Sequence, residues 1–365
     1  MTINQNLSSD SLRKAEIYAE YPIKYVHINT CSHLYRNWAL NRKSMYAKHP
    51  NGLDLLVEYA DNIDNLTGSN HPIIVALHGA PGSHEDFAPF IQYFTSKNIR
   101  MIVPNYPDFK LTIQTKVFRH SSEEKFQFVK DFLLAINVKR IDLLLSHSSS
   151  VYPTTLMLFD QNQISIKAVG LFNPAGHRRI MAMRPAWFTE GSVKVYQNKL
   201  GRFIYKVFGR SFIKVTNTVT VKPESMNNVM LSAQTMRYSN YKQLGKYLEK
   251  IRENKIPTIC VFSANDKLVE KEIFDEMIDL IGSRESALQK YDLEGKKVTR
   301  CKLIYLNLRV VPRKPNIFLL FSVVDPASHT RVLYFDRGGH YAFLKYSDEV
   351  IQQCDLFLNH VLMHK

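Results

Sequence analysis

IDLLLSHSSSVYPTT, residues 141–155, runs the buried-looking stretch Ile141 to Leu145 straight into the small polar run Ser146 to Ser150. Apolar side chains on both faces mark a parallel strand covered by helices on its two sides. The chain then turns into a helix from about Ser149. Ser148 stands at that turn, at the carboxyl end of a strand, where a hydroxyl can act as a nucleophile. Alone, it reads equally as a turn serine bonding its own backbone. The other strand ends decide between the two.

Working outward, strands alternate with helices. DLLVEYA (Asp54 to Ala60) and PIIVALHG (Pro72 to Gly79) predict strands either side of the polar NLTGSN. SHEDFAPFIQYFTSKN opens with Ser and acidic residues and spaces Phe87, Phe90, Ile91 and Phe94 as a helix does. IRMIVPNY is a strand; SSEEKFQFVKDFLLAIN is a helix with Phe126, Val129, Phe132, Leu133 and Ile136 on one face. IKAVGLFN, IPTICVFSAND and RVLYFDRGGH supply further strands. The pattern predicts an α/β fold, a mostly parallel central sheet flanked by helices.

Four strand ends carry reactive or small residues: HGAPG, SHSSS, ANDKLVE and GGH. Ligands of open α/β sheets bind at such ends. The candidates run Ser148, Asp266, His340, the nucleophile, acid, histidine order of the α/β-hydrolases. The sequence resembles that superfamily over roughly residues 54–174, 256–275 and 331–360. LHGAPGSHEDF is similar to the His-Gly-x-Pro-Gly oxyanion segment of its epoxide-hydrolase-like and aminopeptidase-like branches. FSANDKLVE resembles its acid turn, and GGHYAFLKYSDEV its histidine turn and final helix. The nearest likeness is to a little-characterised group of animal α/β-hydrolases.

That resemblance implies a serine hydrolase acting on an ester, thioester or amide, a small-molecule acyl substrate, through an acyl-serine intermediate. His340 is then the general base and Asp266 the group that orients it. The oxyanion donors are the backbone N–H groups of Ala80 and Ser149, since Pro81 has none. His78, Gly79, Pro81 and Gly82 support that loop. Asp275 and Asp336 are weaker substitutes for the acid, and Asn173 leaves no carboxylate at the preceding strand end. His147, next to the nucleophile, reads as a packing or hydrogen-bonding residue. No metal or nucleotide cofactor is implied. Related enzymes that cleave epoxides or carbon–halogen bonds use Asp as nucleophile, so Ser148 argues against both.

The elbow departs from Gly-x-Ser-x-Gly. Its strained turn brings neighbouring backbone close, so the flanks must be small, and Ser146 and Ser150 are larger than glycine. A second function class therefore stays open: a catalytically degenerate α/β-hydrolase serving as a ligand- or partner-binding module.

The composition, 45% hydrophobic and 12% aromatic over 365 residues, belongs to a globular chain. The opening MTINQNLSSDSLRKAE lacks the apolar region of a signal peptide, and IFLLFSVV is too short to span a bilayer. Four scattered cysteines form no disulfide or zinc pattern, so a cytoplasmic setting is expected. The net charge of +15 is concentrated: residues 175–255 hold 16 Lys and Arg against 4 Glu. With no nucleic-acid-binding motif, nucleic acid is not expected as a partner; an anionic substrate or a peripheral anionic membrane surface met through this segment is.

The expected domains are an N-terminal segment 1–51 with one strand, PIKYVHI; a hydrolase core of 52–174 and 256–365; and a basic helical cap, 175–255, over the site. In the cap, Val193, Tyr196, Leu200, Phe203, Ile204, Val207, Phe208 and Phe212 share one helical side that should pack on the core, with Lys194, Lys199, Arg202, Lys206 and Arg210 opposite. Trp187, Tyr238 and Tyr241 are candidates for lining the pocket. Residues 282–330 are an atypical insertion, long for this connection, in which Lys302 to Val324 could form two extra strands.

Overall fold

The computed structural model describes residues 21–41, 45–108, 117–160, 162–198, 200–201, 203–205, 207, 226–282, 288–292, 294–298 and 329–363. Its strands are β1 (Ile23–Thr30), β2 (Leu53–Asp61), β3 (Ile73–Leu77), β4 (Arg100–Pro104), β5 (Arg140–Ile141), β6 (Leu143–His147), β7 (Ser165–Ile166), β8 (Val169–Phe172), β9 (Thr258–Ser263), β10 (Leu288–Tyr291), β11 (Lys297–Val298) and β12 (Thr330–Phe335). The helices are α1 (Ser32–Asn41), α2 (Ala88–Ser96), α3 (Ser122–Ala135), α4 (Val151–Phe159), α5 (Ala186–Tyr196), α6 (Met226–Tyr238), α7 (Tyr241–Glu253), α8 (Lys271–Ile281), α9 (Ala342–Lys345) and α10 (Ser347–Met363).

Ten strands form one sheet in the order β1-β2-β4-β3-β6-β8-β9-β12-β10-β11. Pairing is parallel from β4 to β10 and antiparallel at both edges. From β3 the chain crosses to β4 on one side; from β6 it crosses to β8 on the other. The crevice of this α/β sheet thus opens at the carboxyl ends of β3 and β6, where HGAPG and SHSSS stand.

Strand periodicity divides the core in two. Val75 and Leu77 of β3 face the cluster that holds Phe128, Leu244 and Phe274, while Ile74 and Ala76 face Phe90, Phe94 and Phe357. Helix α3 starts on a capping box: the Ser121 hydroxyl accepts from Glu124 N–H at 3.1 Å and the Glu124 carboxylate accepts from Ser121 N–H at 3.0 Å. Its buried arc differs from the expected one. Phe128, Glu124 and Lys125 are buried while Phe126 and Ile136 are only partly covered. The helix packs on α4 and β1 as well as the sheet, which turns and widens the covered face.

The N-terminal part supplies β1, as expected, and also α1, whose Tyr35 and Trp38 gather with Tyr46. In residues 282–330, β10 and β11 extend the sheet beyond β12; Lys302 to Val324 lie outside the described residues. Between β8 and β9 run α5, α6 and α7. Val193 and Tyr196 turn inward to Met230. Leu200, Phe203, Ile204 and Val207, expected on the same packed side, are exposed instead; Phe208 and Phe212 lie outside the described residues. Trp187 is exposed too, Tyr241 contacts Arg179, and Tyr238 packs against the Met230 cluster. Among the described residues no helix is long and apolar enough to cross a membrane.

Asp142 registers the start of β6 on its neighbours. Its buried carboxylate accepts from Ile73 N–H at 2.9 Å and pairs with Lys167 at 2.7 Å. Asp142→Ala leaves a buried amide without its acceptor, so urea unfolding should register a loss of ~1–3 kcal/mol; an unchanged midpoint would refute this role.

Candidate active site

Ser148 has φ +54°, a left-handed backbone that a side-chain-bearing residue adopts only under constraint. The strand must turn into α4 within Ser148–Ser150, and this conformation projects Oγ off the sheet end. The loop after β3 lies hard against it. A Cβ on Gly79 would sit 2.7 Å from His147 Nδ1 and 3.1 Å from Ser148 Cβ, so only glycine fits there.

The serines at the elbow's flanks are accommodated by hydrogen bonds. Ser146 Oγ donates to the Gly170 carbonyl at 3.2 Å, and a Cβ on Gly170 would meet Leu145 Cδ2 at 2.3 Å. Gly170, paired with Leu145, makes room for that leucine on the face of the sheet opposite Ser146. Ser150 Oγ donates to the His78 carbonyl and lies 3.3 Å from the Tyr106 hydroxyl.

Three residues distant in sequence meet here. His340 Nε2 is 2.7 Å from Ser148 Oγ, and His340 Nδ1 is 2.8 Å from Asp266 Oδ2. A carboxylate only accepts, so Nδ1 carries the proton toward Asp266 and leaves Nε2 as acceptor for the serine hydroxyl. Ser148 is 9% exposed and the His340 side chain 10%. Burial alone would raise the Asp266 pKa. The His340 charge and bond, with the Leu268 and Val269 N–H groups at 2.8 and 3.2 Å, outweigh it and hold the carboxyl below its ordinary value. The substitutes lie elsewhere: Asp275 pairs with Lys271 on an exposed face of α8, and Asp336 is exposed.

His78 braces the loop after β3. Tyr106 N–H donates to Nε2 at 3.0 Å, so Nδ1 is protonated and donates to the Gly79 carbonyl at 2.7 Å. Burial pushes its pKa well down, which keeps it neutral. Gly82 folds back on it, since a Cβ there would lie 3.0 Å from Nδ1. The Pro81 carbonyl accepts from Tyr341 O–H at 3.3 Å, tying this loop to the His340 turn. Ala80 and Ser149 therefore flank Ser148, one on each loop.

Four polar residues that hold the His340 turn were not singled out for this role by the sequence. Asn173 Nδ2 donates to Asp266 at 3.2 Å and to the Gly339 carbonyl at 3.1 Å. Ser263 Oγ donates to the same carbonyl at 2.6 Å, and Gly339 N–H donates to Asn265 at 2.9 Å. His147 Nε2–H donates to the His340 carbonyl at 3.0 Å; burial, then the neighbouring His340 charge, push its pKa down to about 3, so it stays neutral. A legible signal existed. Each lies at the carboxyl end of β6, β8 or β9, the rule that also marks Ser148 and Asp266.

A parallel sheet with a left-handed serine at its switch point, an acid after a later strand and a histidine after the last parallel crossover defines an α/β-hydrolase. Residues 41–302 match the family described as "Alpha/beta hydrolase of unknown function (DUF1057)", and the chain belongs to it. A Caenorhabditis elegans relative, "Uncharacterized protein F35H12.5", is 25% identical over 115 residues, 29% of this chain, and the chain spans 32% of that relative's length. The fold is similar to that of a thermophilic esterase from Thermogutta terrifontis (14% identical, 93% of this chain and 99% of that one, TM-score 0.53). It is similar also to the esterase EaEST from Exiguobacterium antarcticum (13% identical, 83% and 96% covered, TM-score 0.52). At these identities the likeness is one of fold.

Two outcomes follow from this geometry. Gly79→Ala must displace either the loop or the elbow, lowering stability by ~1–3 kcal/mol in urea unfolding; a neutral result would mean the loop relaxes freely. Asp266, with its folded pKa below the ordinary 3.8, contributes stability that is complete above that value and lost as pH falls through the folded one. Asp266→Asn should therefore flatten the acid limb of stability below about pH 4, measured by denaturation at stepped pH, and an unaltered limb would contradict the assignment.

Proposed function

We propose that the protein is a serine hydrolase that cleaves an ester, thioester or amide of a small acyl substrate. The observation that carries this reading is the unbroken relay from Ser148 Oγ through His340 to Asp266, with hydrogen bonds of 2.7 and 2.8 Å. Ser148 Oγ attacks the acyl carbonyl carbon while His340 Nε2 takes the hydroxyl proton. The imidazolium is stabilised by ionised Asp266. The oxyanion is met by the Ala80 and Ser149 N–H groups. Collapse breaks the bond to the leaving group, which receives the proton from His340, and acyl-Ser148 remains. Water, deprotonated by His340, then releases the acid and restores the serine.

Neutral His147 suits this cycle. A second protonated imidazole at a ring separation of 5.0 Å would repel the imidazolium that His340 must become, whereas a neutral ring only holds the turn.

A fluorophosphonate probe should label wild type at Ser148 and leave Ser148→Ala unlabelled. Hydrolysis of a short p-nitrophenyl ester should fall by about 10³-fold or more in Ser148→Ala and in His340→Ala, the double variant losing little further because the pair acts as one unit. Equal rates in wild type and both variants, with no labelling, would favour the binding-module function instead.

A further inference from the structure

The outer side of the cap is apolar. Trp187 is 76% exposed, Leu200 71% and Phe203 62%, with Val195, Ile204 and Val207 also open to solvent. Their neighbours Val193, Tyr196 and Tyr205 turn the opposite way, against Met230, so the exposure belongs to one side of the cap. Gly201 joins the two stretches, since a Cβ there would lie 1.9 Å from the Val195 carbonyl oxygen. The chain after α5 is thereby pressed onto the end of that helix, and the exposed residues continue its surface.

This apolar side is set in cationic surroundings. Arg179, Arg184 and Lys194 are exposed in the same stretch, Arg179 paired with Glu190 and Arg184 with Glu270, each at 2.8 Å, in a segment whose 81 residues, 175–255, carry 16 Lys and Arg against 4 Glu. Beside Ala186, a cavity of about 50 Å³ is lined by Arg178, Arg179, Met183, Met236 and Arg237, with Glu190 among them. Arg178 is held doubly by Glu276 and Arg179 by Glu190. Arg237 donates to the Glu190 carbonyl at 3.3 Å and lies over the Tyr238 ring; among the described residues no carboxylate pairs with it. One water needs ~10–15 Å³ of such space, so the cavity has room for about four waters, comparable with the four oxygens of a phosphate.

We infer that this face docks on an anionic lipid bilayer, the exposed Trp187, Leu200, Phe203 and Ile204 entering the interface and the Arg237 side of the cavity receiving a headgroup phosphate. Apolar contact alone would fit a protein groove equally well. The exposed Lys194, and the Arg237 guanidinium that no described carboxylate pairs with, select an anionic, amphiphilic surface instead. Interfacial elements combine such aromatic and aliphatic side chains with Lys and Arg in this manner. The inference is independent of the hydrolase reading, since the hydrogen bonds of Ser148, Asp266 and His340 run to one another and to groups outside this face.

The chain's two tryptophans make the test direct. In a Trp38→Phe background, Trp187 alone reports by fluorescence. Vesicles of phosphatidylcholine containing phosphatidylglycerol should bind the full chain and shift that emission to the blue, with pure phosphatidylcholine vesicles weaker by about tenfold and the difference shrinking as salt rises. Arg237→Gln should lower the anionic preference about fivefold, as loss of one surface cation does. Phe203→Glu with Ile204→Glu should cut partitioning at least tenfold, while turnover of a soluble ester and the circular dichroism stay unchanged. Equal binding to neutral and anionic vesicles would overturn the inference. So would a blue shift that rises with protein concentration without lipid, which assigns the face to a second copy, or one produced by glycerol phosphate alone without vesicle binding, which makes the cavity a site for a soluble phosphate.

Discussion

Ser148 is held with a left-handed backbone, φ +54°, at the end of a buried strand. Such a conformation costs of the order of 1–3 kcal/mol and persists only where its surroundings fix it on every side. Each neighbour meets that demand differently. Gly79 brings the adjoining loop into contact by having no side chain, and Ser146 and Ser150 place their hydroxyls on carbonyls that water cannot reach. The burial of β3, β6 and β8 in two hydrophobic clusters supplies the stability that the turn draws on.

Around this turn, burial sets the charge state of two histidines and is outweighed at the acid. His78 and His147 are driven neutral by burial, while Asp266 is kept charged by its four hydrogen-bond donors against the same burial. The Gly339 and His340 carbonyls, which would otherwise be desolvated without partners, are taken up by Asn173, Ser263 and His147. The imidazole is thereby fixed at both its ring and its backbone, and its orientation toward Ser148 needs no further contact.

The stretch between β8 and β9 follows another logic. Its helices α6 and α7 bury Met230, Leu244, Leu248 and Ile251, yet a continuous stripe on and after α5 is left outside. An amphipathic stripe defines which side of a helix is apolar, not which apolar residues find a partner.

The α/β class, the strands and the chain order Ser148, Asp266, His340 are readable in the sequence, because strand ends of parallel sheets carry their chemistry in local, recognisable turns. The sequence also marks the loop His78 to Gly82 and the concentration of charge in 175–255. It could not say that Asn173 and His147 secure the His340 turn. Those contacts join β8 and β6 to a loop more than 160 residues away, and no local pattern encodes them. Nor could it show how Ser146 and Ser150 fit where glycine is usual, since their hydroxyls bond the Gly170 carbonyl of β8 and the His78 carbonyl after β3. Local periodicity fixes which side chains may be buried together; only the packing of non-adjacent strands and helices determines which of them meet, and which, like Leu200 and Phe203, are left facing outward.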